Sequence, residues 1–523
     1  MWALATIGIR IKDERLFNHS IIFLHLSACS AFDDLLLSSA HLYSNQIKQK
    51  EISMRILFII FLFSCFSHQS LATEDINQIQ KLDVLIKAAN KYKGFNGAML
   101  VGSTKGNEVV YYNRIGFADK EHKIPLTDKH LFSAGSIGKE FSTLAIMKLV
   151  DEGKISYQDK VASYLPQLPS WAKEVSVEHI MSHTSGLPGL KWFKDMETSD
   201  VVEQVNNVQQ LAFKPGQGYL YGNMNVVLRV YIVEAVLKIK FQEYLKREIF
   251  KVAGMQESIS PAKMNQYPNL MTYHLKPTAV SGASFYTTPY DLYKFEQALW
   301  QEKFISTPRI KAALLGDKLA GNKNHAYFDF GSFKTNAQGK LISWEHDAGS
   351  KNHGTIKFHD FESNVIIVLM SNDYDRTTLR ELKRSILNVL GGAKVRLPLS
   401  WTFKAEVSKN GFDIAFSHLQ QRIKKDAHLD LSSDEDELIQ LGYGLLKEKK
   451  YKQAGRLFQL NLQHFPDSAN AHDSYADALI KLAKRDEAER IIQQGLILAK
   501  KQKNSYWIKH FTLKIKAIAK QKD

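Results

Sequence analysis

Shifted by 34 residues, the C-terminal part of the chain matches itself: Leu441, Gly442, Leu445, Ala454 and Phe458 fall on Tyr475, Ala476, Leu479, Ala488 and Ile492. A unit of that length accommodates one pair of antiparallel helices. Small residues recur where the two helices of a unit must touch. Pro466 closes the first unit, because proline cannot continue a helix. The sequence therefore commits residues 435–501 to two stacked helix pairs. A looser pair at 401–425 reads as a degenerate first unit inside a linker spanning 393–434, and residues 503–520 as a capping helix. Two repeats rarely bury enough surface alone, so these are expected to dock on the rest of the chain or on another chain.

Ahead of the tail, residues 83–392 switch between two periods. FNGAMLVGS and NEVVYYNRIGFA read as β-strands joined by a tight turn at Thr104 to Asn107. GTIKFHD and NVIIVLMSND read as a second hairpin, followed by a helix from Thr378 to Leu390. Between them, Phe141, Leu144, Ala145, Met147 and Leu149 recur near helical spacing in a run that starts at Ser136 and ends before Gly153. Strands at both ends of a helical middle predict an α+β fold. One antiparallel sheet is assembled from the two ends, flanked by helices and an all-α cluster, and followed by the α-helical tail.

The beginning of the chain reads differently. MRILFIIFLFSCFSHQSLA, residues 54–72, has one arginine, a short apolar run and the small-residue cleavage pattern of a secretory signal peptide. Such peptides stand first, so residues 1–53 read as an extension placed ahead of the true start at Met54. Both cysteines, Cys29 and Cys65, precede the cleavage point, and the mature chain is expected to have neither disulfides nor thiol chemistry. Residues 1–72 hold 6 basic and 5 acidic groups, so the net charge of +15 falls only to +14 on removal. That charge is spread thinly, with no nucleic-acid motif beside it, and the chain does not read as a nucleic-acid binder. No apolar run in the mature chain reaches the length of a membrane span. The expectation is an exported protein, periplasmic or secreted.

The chemistry starts at FSAGSIGKEF, where Lys139 follows Ser136 by three residues and so projects from the same helix face. An unassisted serine hydroxyl is a poor nucleophile. A buried amine has a lowered pKa and can take or share the hydroxyl proton. Backbone N–H groups at the helix start could hold the oxyanion that forms. Taken alone, S-x-x-K also fits a capping serine with a solvated lysine. Farther on, YLYGNMNVVLRVYIVEAV carries Tyr221-Gly222-Asn223 in a loop leading into an apolar helix. A tyrosine beside an ammonium holds its phenolate form more easily and could serve as general base, with Asn223 donating to a substrate carbonyl. WEHDAGS then places His346 on a strand that could line the same cleft.

These segments together resemble the serine β-lactamase and penicillin-binding superfamily, in the branch of class C β-lactamases, D-Ala-D-Ala carboxypeptidases, D-aminopeptidases and related esterases. The resemblance covers residues 83–392 and also includes LVDEGKISYQDKVASYLPQLP, VEHIMSHTSGLPG, KPGQGYLYGNMN and SGASFYTTPYDLYKF, all collinear. The 34-residue unit resembles the tetratricopeptide repeat. By position, the resemblance makes Ser136 the nucleophile, Lys139 its partner, Tyr221 the base that also protonates the leaving group, and Asn223 the carbonyl contact. His346 stands where relatives have Lys or His, and the Gly349 N–H would complete the oxyanion hole with that of Ser136. His183 reads as a loop-fixing residue. No cofactor is implied, and no metal-ligand spacing such as H-E-x-x-H is present.

The third motif departs from the pattern. Relatives usually have K-T-G or H-T-G, and this chain has His346-Asp347-Ala348. Asp347 is expected to repel an anionic substrate, which predicts weak β-lactamase activity and a preference for esters or amides without a carboxylate at that point. If Asp347 points away from the cleft, that expectation lapses. The competing function is a non-catalytic binding protein whose pocket senses a peptidoglycan fragment or β-lactam while the repeats recruit a partner. The partners implied are a small-molecule or peptide substrate, and a protein or the chain's own hydrolase domain for the repeats.

Overall fold

Six of the seven residues of GAMLVGS, β1 (Gly97–Ser103), are buried, which requires that both faces of its sheet be covered. Ala98 and Leu100 point into one core, Met99 and Val101 into another. The computed structural model describes residues 77–119, 123–191, 193, 198–259, 285–316, 327–350, 353–373, 375–425 and 432–519. The extension 1–53 and the signal-like segment 54–72 lie outside the described residues.

The other strands of this sheet are β2 (Val109–Ile115), β3 (Ser332–Thr335), β4 (Leu341–Ser350), β5 (His353–Asp360) and β6 (Val365–Ser371). They form one antiparallel sheet in the order β2-β1-β6-β5-β4-β3. The β1–β6 ladder runs from Gly97 opposite Ser371 to Ser103 opposite Val365, so the two ends of the domain meet in the middle of the sheet as the strand pattern requires. One face is covered by a helix over 77–93 (α1) and by α5 (Arg376–Leu390). Leu82, Leu85 and Ile86 of α1, together with Leu379, Leu382 and Ile386 of α5, close over Met99, Val101, Ile367 and Leu369. The other face carries α2 (Gly138–Asp151), α3 (Asn223–Leu237) and α4 (Pro289–Trp300). Phe141 of α2 stacks on Phe295 of α4 at 4.2 Å and meets Phe285 edge-on at 4.5 Å, an arrangement that adds to the burial of both rings. Thr288 caps α4 through the Asp291 N–H, and Asp375 caps α5 through that of Thr378, each satisfying an end donor that the helix leaves open.

Among the described residues the tail contains seven helices: α6 (Leu399–Asn410), α7 (Phe412–Lys425), α8 (Ser432–Lys447), α9 (Tyr451–His464), α10 (Ala469–Lys481), α11 (Arg485–Lys501) and α12 (Ser505–Ala519). The repeat positions explain how they stack. A Cβ on Gly442 would lie 2.3 Å from the Phe458 ring, so the small residue allows α8 to touch α9. Leu438 and Leu441 share a core with Phe416 and Leu419 of α7 and Leu457 of α9, which joins the looser pair to the repeats.

The tail docks on the sheet domain through α5. Trp401 is fully buried in the core shared with α1 and α5, and its indole N–H donates to Glu381 at 2.5 Å. Arg384 pairs with Glu437, and Arg396 bridges to Asp434 at 2.7 Å.

Candidate active site

Ser136 lies in a 3-10 turn, Gly135–Ile137, that runs into α2, rather than in the first turn of the α-helix the sequence suggests. Gly135 takes the left-handed φ of +53°, where a side chain is strained. A Cβ there would also come within 2.9 Å of the Ala348 Cβ. The turn is thus pressed against β4, beside Gly349. Lys139 follows on α2, and its Nζ donates to Ser136 Oγ at 2.8 Å. The amine is almost entirely buried, and that desolvation draws its pKa from 10.5 to about 8, against an opposing pull from Asp329.

Tyr221 arrives from the loop ahead of α3. Its hydroxyl donates to Ser136 Oγ at 3.3 Å, and Lys139 Nζ stands 5.2 Å from its ring centre. The serine, amine and phenol expected from the sequence are therefore in one place. The phenol's electrostatics differ from the expectation. Burial, then Asp329, push its pKa upward from 10, so the phenolate is disfavoured. Tyr221 keeps 45 % of its surface open to the cleft, which tempers the size of that push but not its direction. At neutral pH Tyr221 is a proton donor, and Lys139 is the group poised to accept a proton.

His183 holds this loop, through a network the sequence did not reveal. The residue is buried, in the left-handed region at φ 57°, and its carbonyl accepts from the Leu220 N–H at 2.9 Å. Its Nδ1 faces the N–H of Gly222 at 3.4 Å and the Asn225 amide at 3.1 Å, while Nε2 meets Asp329 Oδ2 at 3.0 Å. Nδ1 accepts and Nε2–H donates, which is the neutral tautomer, in keeping with a pKa lowered by burial. Asp329 also takes Arg229 Nη2 at 2.8 Å, and the His183 N–H, the Arg229 guanidinium and the Lys139 amine hold its carboxyl well below the usual range despite full burial. The His183 ring lies 4.7 Å from that of Tyr221. Asn223 heads α3, half-buried, two residues beyond Tyr221.

A cleft of about 570 Å³ opens over Ser136, and His346, Asp347 and Gly349 line its β4 wall. The expectation that Asp347 makes this wall repel anions is overturned. Asp347 Oδ2 accepts from Arg380 Nη2 at 2.7 Å and lies 3.3 Å from Arg376 Nε, and both arginines line the cleft. Two guanidinium groups against one carboxylate leave this rim net positive. The neighbouring Glu345 is paired with Lys383. Nothing in the sequence marks Arg376, Arg380 and Lys383 as cleft residues; what they oppose is decided by the packing of α5 against β4. His346 is buried, with Nδ1 2.6 Å from Glu140 Oε1, so the ring is fixed from behind.

A β-lactamase family model matches residues 82–390, and a tetratricopeptide-repeat model matches residues 445–507. Penicillin-binding protein 4* of Bacillus subtilis is 28 % identical over 303 residues, covering 51 % of this chain and 66 % of that protein. A β-lactamase of Providencia stuartii is 27 % identical over 180 residues, 34 % of this chain and 46 % of that one. The chain thus spans 66 % or less of the length of these curated relatives. Among solved structures, the octameric penicillin-binding protein homologue from Pyrococcus abyssi superposes with a TM-score of 0.51 at 20 % identity, over 64 % of this chain and 82 % of that one. A class C β-lactamase does so at 0.51 and 18 %, over 61 % and 98 %. With the family model matched over more than half of its length, the chain belongs to the β-lactamase family.

Proposed function

We propose that this protein is an exported serine hydrolase that cleaves ester or amide bonds, D-amino acid peptides among them, through an acyl-enzyme on Ser136. One observation carries the reading: Ser136 Oγ stands between a buried amine at 2.8 Å and a phenol at 3.3 Å. With its pKa near 8, Lys139 is partly neutral at physiological pH and takes the hydroxyl proton as Oγ attacks the carbonyl. Tyr221 delivers a proton to the departing group and recovers one from the lysine ammonium. The backbone N–H groups of Ser136 and Gly349, on the turn and strand that meet at the cleft, suit the oxyanion. Export rests on the signal-like segment 54–72.

The net-positive rim made by Arg376 and Arg380 supports substrates with a carboxylate near the reacting carbonyl, contrary to the preference drawn from Asp347 alone. The names of the relatives point the same way, since penicillins carry such a group. Fluorophosphonate labelling of the purified chain and of Ser136→Ala, followed by turnover of p-nitrophenyl esters, D-amino acid amides and nitrocefin, tests the reading. An adduct on Ser136 and turnover of at least one substrate class support it. A stable adduct without turnover, or no adduct, supports the non-catalytic binding protein instead.

A further inference from the structure

Behind the β4 wall, five ionisable side chains form an unbroken line. His346 Nδ1 lies 2.6 Å from Glu140 Oε1, and Glu140 Oε2 accepts from Lys357 Nζ at 2.8 Å. Lys357 also donates to Glu296 at 2.6 Å, and Glu296 Oε1 lies 2.8 Å from His359 Nδ1. Each of the five side chains is at most 5 % exposed. His346 and Lys357 are also direct cross-strand partners on β4 and β5. Burying such groups costs several kcal/mol per ion, and well-packed apolar residues of the same volume would serve stability as well. The line ends at the reaction cleft, where His346 is one of the lining residues.

We infer that His346 is a second proton-transfer residue of the cleft, acting as general base on the water that hydrolyses the acyl-enzyme, and that Glu140 is the residue that positions it. This rests on the Ser136 acyl-enzyme proposed above. A carboxylate only accepts, so Nδ1 carries a hydrogen and donates it to Glu140; the other ring nitrogen, Nε2, keeps its lone pair for the cleft. Glu140 cannot turn away, because Lys357 holds its other oxygen and Glu296 holds Lys357. Glu140 adjoins Lys139 on α2, so one helix sets both proton-handling groups.

In the step itself, water oxygen bonds to the acyl carbon as its proton passes to Nε2. The C–Oγ bond breaks, and Oγ leaves with the proton of the Tyr221 phenol. The proton held by His346 replaces, through solvent, the one the phenol gave up. The products are the free acid and the Ser136 hydroxyl. The imidazolium that forms faces the Glu140 carboxylate, which matches its charge when it appears.

The test uses the full chain with a p-nitrophenyl ester, read by stopped flow and by intact mass. Glu140→Gln and His346→Gln each keep the burst of p-nitrophenolate that reports acylation, lower steady-state turnover at least tenfold, and accumulate acyl-Ser136. Hydroxylamine, which attacks without a general base, restores turnover in both. His346→Gln leaves Glu140 and Lys357 in place and keeps the test open should Glu140→Gln fail to fold. Parallel loss of burst and turnover in His346→Gln would make it a binding residue and overturn the inference, as would unchanged turnover. Absence of a Ser136 adduct in the unaltered chain as well as the variants would overturn the acyl-enzyme reading, and with it this one.

Discussion

The sharpest consequence of the site is a pH dependence. Lys139 is buried beneath Ser136, and its pKa falls from 10.5 to about 8 because the ammonium loses its hydration. If the neutral amine is the base, acylation tracks its deprotonated fraction. At pH 7 that fraction is about 9 %, against roughly 0.03 % for a lysine left at 10.5, a gain of about 300-fold in available base. Acylation should rise close to tenfold from pH 6 to 7, bend near 8 and level off above 9. The stability sign is opposite to that of a paired lysine. The folded state prefers the neutral form, so the cost of holding the ammonium, about 3 kcal/mol, is fully present below pH 8 and disappears as pH rises from 8 toward 10.5. The assay is the second-order rate of fluorophosphonate labelling of Ser136 from pH 5.5 to 9.5, with chemical denaturation over the same range. A labelling rate flat between pH 6 and 8, or still climbing close to tenfold per pH unit up to 9.5, would refute the assignment of Lys139 as base.

Replacing both Arg376 and Arg380 by alanine leaves Asp347 unpaired at the rim. The pairs are half-exposed, so each contributes at most about 1 kcal/mol, and KM for a carboxylate-bearing substrate should rise severalfold while that for a neutral ester stays level. Gly442→Ala forces a methyl into the Phe458 ring and should destabilise the chain by about 1–3 kcal/mol, measured by thermal melting. Trp401→Ala opens a cavity in the core shared by α1, α5 and α6 and removes the indole donor from Glu381 Oε2. A loss of about 3–5 kcal/mol is expected in urea unfolding monitored by circular dichroism. A change below about 1 kcal/mol there would mean that the tail is not docked through this residue in solution.

The sheet was legible because it obeys local rules. Two hairpins with turn residues at Gly106 and Asn107 and at Asn364 announce themselves in the strand pattern, and their pairing across the chain follows from the need to bury both apolar runs. The nucleophile, its amine and the phenol were legible as residue types at motif spacing. Their protonation was not. A tyrosine beside a lysine reads as a candidate phenolate in sequence, but Asp329 comes from a distant loop, and only the fold brings its charge near the phenol. Asp347 misled for the same reason: a carboxylate was visible in the third motif, while the guanidinium groups that neutralise it belong to a helix whose rotation against β4 no spacing rule gives. The Glu140–Lys357–Glu296 line crosses three elements separated by up to 217 positions, and each residue alone reads as a solvated charge.

The repeats belong to the same physical argument as the cleft, because α5 serves both. Arg376, Arg380 and Lys383 reach toward Asp347 and Glu345 on the cleft strand, while Glu381 and Arg384, one residue farther along, hold Ser400, Trp401 and Glu437 of the tail. The apolar stripe of Leu379, Leu382 and Ile386 seats the helix on the sheet between them. A helix turns as a rigid body, so the contacts that fix its rotation on the tail side also fix where its guanidinium groups stand over the substrate. Docking supplies what two isolated repeats lack, a surface to close against, here the α1–α5 core around Trp401 and the pairs of Arg384 and Arg396. In return the docked tail sets the orientation of the helix that makes the rim positive.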